Sequence, residues 1–459
     1  MVKFLRNRTK GEEGERGRRP SKPLFQEAPI SIHIATMSSE KFSAVVLGGG
    51  IAGITAALEL SRLGLPVALV EKSPFFGGQA AHFCCKATEV CQKCGACLVE
   101  DRLKELFQAP GIRLYPNTSL TRARRENGVF HLTLKRQPGV IDPYSCVDCG
   151  LCYDECPGVS QGAIIRAAST LNHPRYAVIP EHCLFFRDGS CRVCMQVCPP
   201  TVKAIDLDRP GVVLDLEAAA VVLATGYRPA DPCSRPHYGY GSLPHLITGL
   251  ELEEMLRAGR EIRRDDGSVA RRVAFIQCVG SRDQQHPYCS QVCCAYALRL
   301  ARLLKHRHPD MELTTFYMDL QNVGLDYPGF ETEALGDIKV IRALPGDLGK
   351  TLEGELRLRY LDEKTGLPEV ALFDLVVLAV GISPGPDNPE LAALLDLELS
   401  PQGFFQAADP ENRSLTTHPG LFLAGTAEGP KDIAGCIIQA TGAARQVGRY
   451  LQTKTVVPL

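Results

Sequence analysis

The run Cys146-x2-Cys149-x2-Cys152-x3-Cys156-Pro157 sets four thiolates at the spacing that wraps a four-iron, four-sulfide (4Fe–4S) cluster. A second run, Cys183-x7-Cys191-x2-Cys194-x3-Cys198-Pro199, repeats the pattern with a longer first gap. Where two such runs share a chain, the fourth cysteine of each crosses to the other cluster. Cys146, Cys149, Cys152 and Cys198 are therefore expected on one cluster, and Cys183, Cys191, Cys194 and Cys156 on the other. Zinc is the competing metal, but its ligand sets are usually smaller and often include His.

Cys278, Cys289, Cys293 and Cys294 form a third group. The last three fall at i, i+4 and i+5 of an expected helix, so their sulfurs would share one flank. Reaching back to Cys278 at a strand end would complete four ligands. Spacing alone leaves this group open between a cluster and buried thiols. Cys91-x2-Cys94-x2-Cys97 supplies three more candidate ligands, with Cys84 or Cys85 as a fourth. A cluster, redox-active thiols and simple packing all stay open there. Cys233 and Cys436 stand alone and read as ordinary residues.

A nucleotide fingerprint precedes these sets. Apolar Phe42–Leu47 reads as a strand, Gly48-x-Gly50-x2-Gly53 as a turn, and Ile54–Leu63 as a helix. A second strand, Leu65–Val70, ends in Glu71, close to the roughly 20-residue spacing of a ribose-binding acid. Glycines there let a pyrophosphate approach backbone N–H groups at the helix N-terminus, where the macrodipole favours negative charge. Gly77-Gly78, Ala224-Thr225-Gly226 and Gly420-Leu421-Phe422-Leu423-Ala424-Gly425 are similar to segments of two-dinucleotide flavoproteins of the thioredoxin and glutathione reductase type. That resemblance implies FAD held by Gly48, Gly50, Gly53, Glu71, Gly78, Thr225, Gly226, Gly425 and Thr426. The usual Asp is replaced by Thr426. A second nucleotide site would begin at the strand Val273–Ile276. Gln277-Cys278-Val279-Gly280-Ser281-Arg282 follows it without a glycine triplet, so the nicotinamide-type site is expected to be lost.

These motifs need elements to carry them. At 459 residues the chain is long enough for about three domains. The expected fold class is α/β: a Rossmann-like, two-dinucleotide-domain flavoprotein with an inserted two-cluster ferredoxin-like domain. Residues 1–40 read as a disordered tail, with Met37 an alternative start. Residues 41–140 read as the first part of the FAD-binding domain, with 112–136 as a small sheet. The insert spans 141–210, and 211–265 continues the FAD-binding domain and crosses over. Residues 266–385 read as a degenerate nucleotide-type domain with cluster ligands, and 386–459 as the last part of the FAD-binding domain.

A net charge of −1 gives no global field for nucleic acid or an anionic membrane. No run approaches the roughly 20 apolar residues needed to span a bilayer. Nineteen cysteines could mean secreted disulfides. Residues 1–30 lack the apolar core of a signal peptide, however, and the spacings suit clusters. A reducing, cytoplasmic setting is the expectation.

Two longer stretches carry a closer resemblance. Phe275-Ile276-Gln277-Cys278-Val279-Gly280-Ser281-Arg282-Asp283 is followed by Pro287-Tyr288-Cys289-Ser290-Gln291-Val292-Cys293-Cys294-Ala295-Tyr296-Ala297-Leu298. With Phe316-Tyr317-Met318-Asp319, Gly425-Thr426 and Gly429-Pro430-Lys431-Asp432-Ile433, they resemble the HdrA-type component of heterodisulfide reductase over about 42–452. The resemblance implies an iron–sulfur flavoprotein that transfers, or bifurcates, electrons within a larger complex. It also implies a 4Fe–4S cluster on Cys278, Cys289, Cys293 and Cys294 beside the flavin, making three clusters with room for a fourth. Expected partners are other heterodisulfide-reductase-like subunits and a ferredoxin, hydrogenase or dehydrogenase donor, with a homodimer inside the complex. Activity on sulfur groups is expected only within such a complex. Cys278, Arg299 and Lys431 are the candidate catalytic residues.

Three departures qualify the resemblance. Arg299 stands where the family carries Lys, and Arg cannot donate a proton at working pH. The longer members' N-terminal cluster domain and C-terminal ferredoxin domain have no counterpart in this sequence. The 84–97 segment is richer in cysteine than the family's pattern. The alternatives are a non-bifurcating electron-transfer adaptor, sulfur- or quinone-linked, and a disulfide reductase using Cys91, Cys94 or Cys97. The missing nicotinamide fingerprint argues against the latter acting alone.

Overall fold

The computed structural model describes residues 39–321, 335–336 and 338–455. The tail expected at 1–40 and the start at Met37 lie outside these residues, apart from Ser39 and Glu40.

Strand β1 (Glu40–Leu47) runs through the glycine turn into helix α1 (Ile51–Arg62). Nearly every residue of α1 from Ile51 to Leu60 is buried, as its apolar composition on all sides demands. β2 (Val67–Val70), α2 (Cys97–Gln108), β3 (Ile112–Tyr115), β4 (Thr118–Glu126) and β5 (Val129–Arg136) follow. The next segment holds short helices α3 (Leu151–Asp154), α4 (Leu184–Asp188) and α5 (Val193–Val197) around a hairpin of β6 (Ile164–Arg166) and β7 (Tyr176–Val178). Then come β8 (Val212–Leu223), β9 (Tyr227–Pro229), β10 (Leu246–Thr248), α6 (Gly249–Arg257), β11 (Arg272–Val279), α7 (Cys293–Arg307), β12 (Glu312–Phe316) and β13 (Lys339–Ile341). Strands β14 (Asp347–Lys350), β15 (Leu356–Leu361), β16 (Pro368–Phe373), β17 (Leu375–Val380) and β18 (Ile382–Pro384) precede α8 (Asn388–Leu395), β19 (Leu421–Leu423) and α9 (Ile433–Thr455).

The first sheet has the order β3-β2-β1-β8-β5-β4, with β19 also on β8. Strand β8 is long enough to serve three partners. Residues 212–218 pair antiparallel with β5, while its C-terminal end runs parallel to β1 and β19. The hairpin at 118–136 is therefore part of the main sheet and not the separate small sheet expected. Because β5 and β8 are antiparallel neighbours, the cluster segment sits in what would otherwise be their hairpin turn. Its ends are pinned by the bridge between Ile141 and Ile205.

The second sheet has the order β10-β17-β11-β12-β13, all parallel. β10 and α6 belong to it, so the middle domain begins well before residue 266. The chain crosses between the sheets at β9 and β18, which pair with each other directly after Gly226 and Gly381. This pairing of the two crossings brings the C-terminal ends of β8 and β17 together, and the functional groups gather there.

Candidate functional site

A cavity of about 1080 Å³ opens where the first sheet, the insert and the second sheet meet. Gly48, Gly50, Glu71, Gly78, Thr225, Gly226, Thr426, Lys431 and Arg299 all line it. The glycine turn is tight for physical reasons. A Cβ on Gly48 would stand 2.2 Å from Ala224 O, and one on Gly53 would stand 1.8 Å from Gly48 O. Gly50 caps α1 with no side-chain acceptor, so the first N–H groups of the helix remain open to an anion. Thr225 Oγ1 is buried in this wall without a hydrogen-bond partner. Glycine backbone, helix N-terminus and an orphaned hydroxyl together fit a dinucleotide. Gly53 and Gly425 do not reach the cavity. They are packing positions instead: a Cβ on Gly425 would stand 2.5 Å from Ala52 Cβ.

Glu71 ends β2 and accepts N–H groups from Gly49 at 2.5 Å and Ser73 at 2.6 Å. Burial holds its carboxyl above the usual range, opposed by those two donors and by Lys72. Lys431 pairs with Glu428, a carboxylate only 5% exposed that Arg413 also reaches. The lysine is thus anchored in the wall and is not a free loop side chain. Arg299 donates from Nε to Gln92 O at 2.9 Å, and Arg302 donates to Gln92 Oε1 at 2.7 Å. Helix α7 thereby holds the 84–97 segment over the cavity.

The structure brings cysteines of the two insert runs and of the Cys278 set together. Cys156, Cys183, Cys191 and Cys194 line one small cavity in the insert, the grouping that a crossing ligand requires. Cys152 neighbours Cys146 and Cys149, and α5, whose C-cap is Cys198, packs on α3. Burial first, then the neighbouring thiols, push the Cys152 thiol up to about 12 and the Cys194 thiol up to about 11. Free thiols would stay protonated here, so ligation must displace the protons. Among the described residues no three His, Cys, Asp or Glu side chains converge on a single ion. A four-iron cluster spreads its thiolates over separate irons and does not ask for that convergence.

Cys278, Cys289, Cys293 and Cys294 are also mutual neighbours. Only Cys293 and Cys294 lie on α7; Cys289 precedes the helix, because Gln291 at φ 62° is left-handed and cannot continue it. Burial, then Cys294, pushes Cys278 up to about 11, with Arg282 opposing. Arg282 forms a forked pair with Asp319, whose carbonyl oxygen lies 3.9 Å from Cys294 Sγ. The four thiols occupy the β11–α7 turn, where a second nucleotide would have its phosphates.

Residues 44–89 match the FAD dependent oxidoreductase family. The second of the CoB–CoM heterodisulfide reductase iron-sulfur A subunits of Methanopyrus kandleri is 34% identical over 424 residues, covering 89% of this chain and 64% of that protein. The corresponding iron-sulfur protein of Methanocaldococcus jannaschii is 35% identical over 427 residues, covering 88% and 64%. The chain is thus similar, over most of its length, to the A subunits of heterodisulfide reductases. It spans a little under two thirds of the length of these curated relatives. In fold it is similar to Lactococcus lactis thioredoxin reductase, with a TM-score of 0.50 at 14% identity, covering 90% of this chain and 99% of that one. No helix among the described residues is long and apolar enough to cross a membrane.

Two cavity residues belong to none of the motifs. Lys86 and Glu253 form a buried ion pair in the wall. Their only sequence signal is weak: Glu253 adjoins the buried Leu252 on an amphipathic helix.

Proposed function

We propose that this chain is the flavin-bearing electron-transfer component of a heterodisulfide-reductase-like complex, active on sulfur groups through a partner. It would pass electrons between a low-potential donor, such as ferredoxin or a hydrogenase, and a disulfide-reducing module. Bifurcation at the flavin is part of the proposal. The observation that carries it is the replacement of the second nucleotide site by four neighbouring cysteines at the β11–α7 turn. A cluster held by those cysteines would supply one-electron transfer at that face, in the place of a nicotinamide nucleotide. Relatives support the partner classes. One from Methanosarcina acetivorans is named as part of a ferredoxin/F420H2-dependent CoB–CoM heterodisulfide reductase. Another, from Methanothermobacter thermautotrophicus, is named as part of an H2:CoB–CoM heterodisulfide, ferredoxin reductase.

When bound, FAD supplies the step from two-electron to one-electron transfer. This chain's residues do the rest. The Gly48–Gly53 turn and the α1 N-terminus would bind the pyrophosphate, and Glu71 would accept from the ribose hydroxyls. Thr225 and Thr426 offer hydroxyls at the wall. Arg299 and Lys431 would place cationic groups in the wall beside the bound cofactor. Cys146, Cys149, Cys152 and Cys198, and Cys183, Cys191, Cys194 and Cys156, would hold two clusters, with a third on the Cys278 set.

Iron, acid-labile sulfide and flavin analysis of anaerobically purified protein tests this reading. Three sets imply at least about twelve irons and one FAD. Four or fewer irons in fully loaded protein would return the cysteines to thiol or zinc chemistry. Loaded protein that reduces no disulfide even with partner subunits would overturn the assigned reaction.

A further inference from the structure

Two loops of this chain share one backbone. In the insert, Asp148 is left-handed at φ 53° and donates its N–H to Cys146 Sγ at 3.4 Å. Gly150 follows at φ 86°, and Tyr153 N donates to Gly150 O at 2.9 Å as α3 begins. In the 84–97 segment, Lys93 is left-handed at φ 49° and donates its N–H to Cys91 Sγ at 3.4 Å. Gly95 follows at φ 75°, and Leu98 N donates to Gly95 O at 3.0 Å as α2 begins. Counted from the first cysteine, the left-handed residue, the glycine, the closing hydrogen bond and the second and third cysteines fall at the same offsets, and the helices start within one residue of each other.

That conformation is costly. A non-glycine residue at positive φ is uncommon, and outside Asn and Asp it signals a local demand. Lys93 has no side-chain preference for it. The benefit is a backbone N–H turned onto a sulfur, the contact that tunes cluster potentials. The same device recurs at Gln291, whose N–H reaches Cys289 Sγ at 3.3 Å with φ 62°. Neither packing nor a disulfide requires a C-x2-C-x2-C loop to be wound in this way.

We propose that Cys91, Cys94 and Cys97 bind a further 4Fe–4S cluster, distinct from those of the insert and of the Cys278 set. It rests on the redox reading of the chain given above. Three thiolates leave one iron for a donor outside the triplet. Cys84 is engaged elsewhere, with its N–H on Glu253 and its sulfur in the Lys86–Glu253 pocket. The site lies between solvent and the cavity. Cys91 and Cys97 are exposed, while Cys94 lines the cavity that Arg299 also lines.

Exposure makes the test direct. Cys91, Cys97, Cys149 and Cys233 are all exposed thiols. Iron-loaded full-length protein, kept anaerobic and native, is treated with iodoacetamide and mapped by mass spectrometry. The expected pattern is Cys233 alkylated and Cys91, Cys97 and Cys149 protected until iron is chelated. Alkylation of Cys91 and Cys97 with Cys149 still protected overturns this site and leaves the insert clusters standing. Alkylation of Cys149 as well overturns the cluster reading as a whole. A Cys94→Ala variant gives an independent measure: about four irons fewer per chain, with flavin retained, is expected. Unchanged iron and sulfide in that variant overturns the site.

Discussion

Lys86 Nζ lies 2.5 Å from Glu253 Oε1 in the cavity wall, with 3% of either side chain exposed. Glu253 also accepts the Cys84 N–H at 2.8 Å, so one carboxylate ties α6 to the segment beyond Gly78. A buried pair gains little net stability, but removing one partner strands the other charge. Lys86→Met should therefore cost about 3–5 kcal/mol in chemical unfolding. Lys86→Met with Glu253→Gln should recover most of it, because the amide oxygen still accepts from Cys84. A double variant no more stable than the single would show that the charge is not the issue.

The glycines of the fingerprint divide into two kinds, and substitution separates them. At Gly50, with φ −80°, an added Cβ meets nothing closer than Gly78 Cα at 3.8 Å. Gly50→Ala should fold normally yet purify without flavin, since the methyl enters the space left for phosphate. At Gly53 the same methyl collides with Gly48 O, so Gly53→Ala should lower the unfolding midpoint even of flavin-free protein. Far-UV circular dichroism and flavin absorbance distinguish the two. Full flavin occupancy in Gly50→Ala would remove the pyrophosphate from this turn.

The parts legible in the sequence are those with local causes. The glycine turn with its helix, and the helix that carries Cys293 and Cys294, follow from neighbouring residues. The double duty of β8 is not legible, because strand pairing depends on partners far along the chain. Cys289 reads as helical because i, i+4 spacing suits a helix as well as the loop that Gln291 imposes. The Lys86–Glu253 pair is hidden because two surface-type residues some 170 positions apart share no pattern.

Asp374 gives the middle domain a defined acid limit. It accepts N–H groups from Arg271 and Arg272 at 2.8 and 2.9 Å, and guanidinium donors from Arg272 and Arg264 at 2.9 and 3.0 Å. Burial raises its carboxyl, but these donors prevail and hold it below the usual value. A depressed folded value means its stabilisation is complete above the unfolded value of about 3.9 and is lost as pH falls through the folded one. Asp374→Asn should cost about 2–4 kcal/mol at neutral pH. The gap to wild type should stay constant from pH 8 to 5. A gap that closes within that range would contradict the assignment.

Arg299 joins two functions in one side chain. It places a permanent cation in the cavity wall, and its Nε secures Gln92 O between Cys91 and Cys94. A nearby cation favours the reduced, more negative flavin over the oxidised one, so charge should be readable in the potential. Arg299→Gln should lower the flavin midpoint potential in an anaerobic titration, whereas Arg299→Lys, which keeps the charge, should stay near wild type. The hydrogen bond separates differently. Lys has one compact ammonium in place of the planar fork, so both variants should loosen the 84–97 segment and speed its limited proteolysis. A potential unmoved in Arg299→Gln, with faster proteolysis in both, would reduce Arg299 to a positioning residue for the cysteine loop.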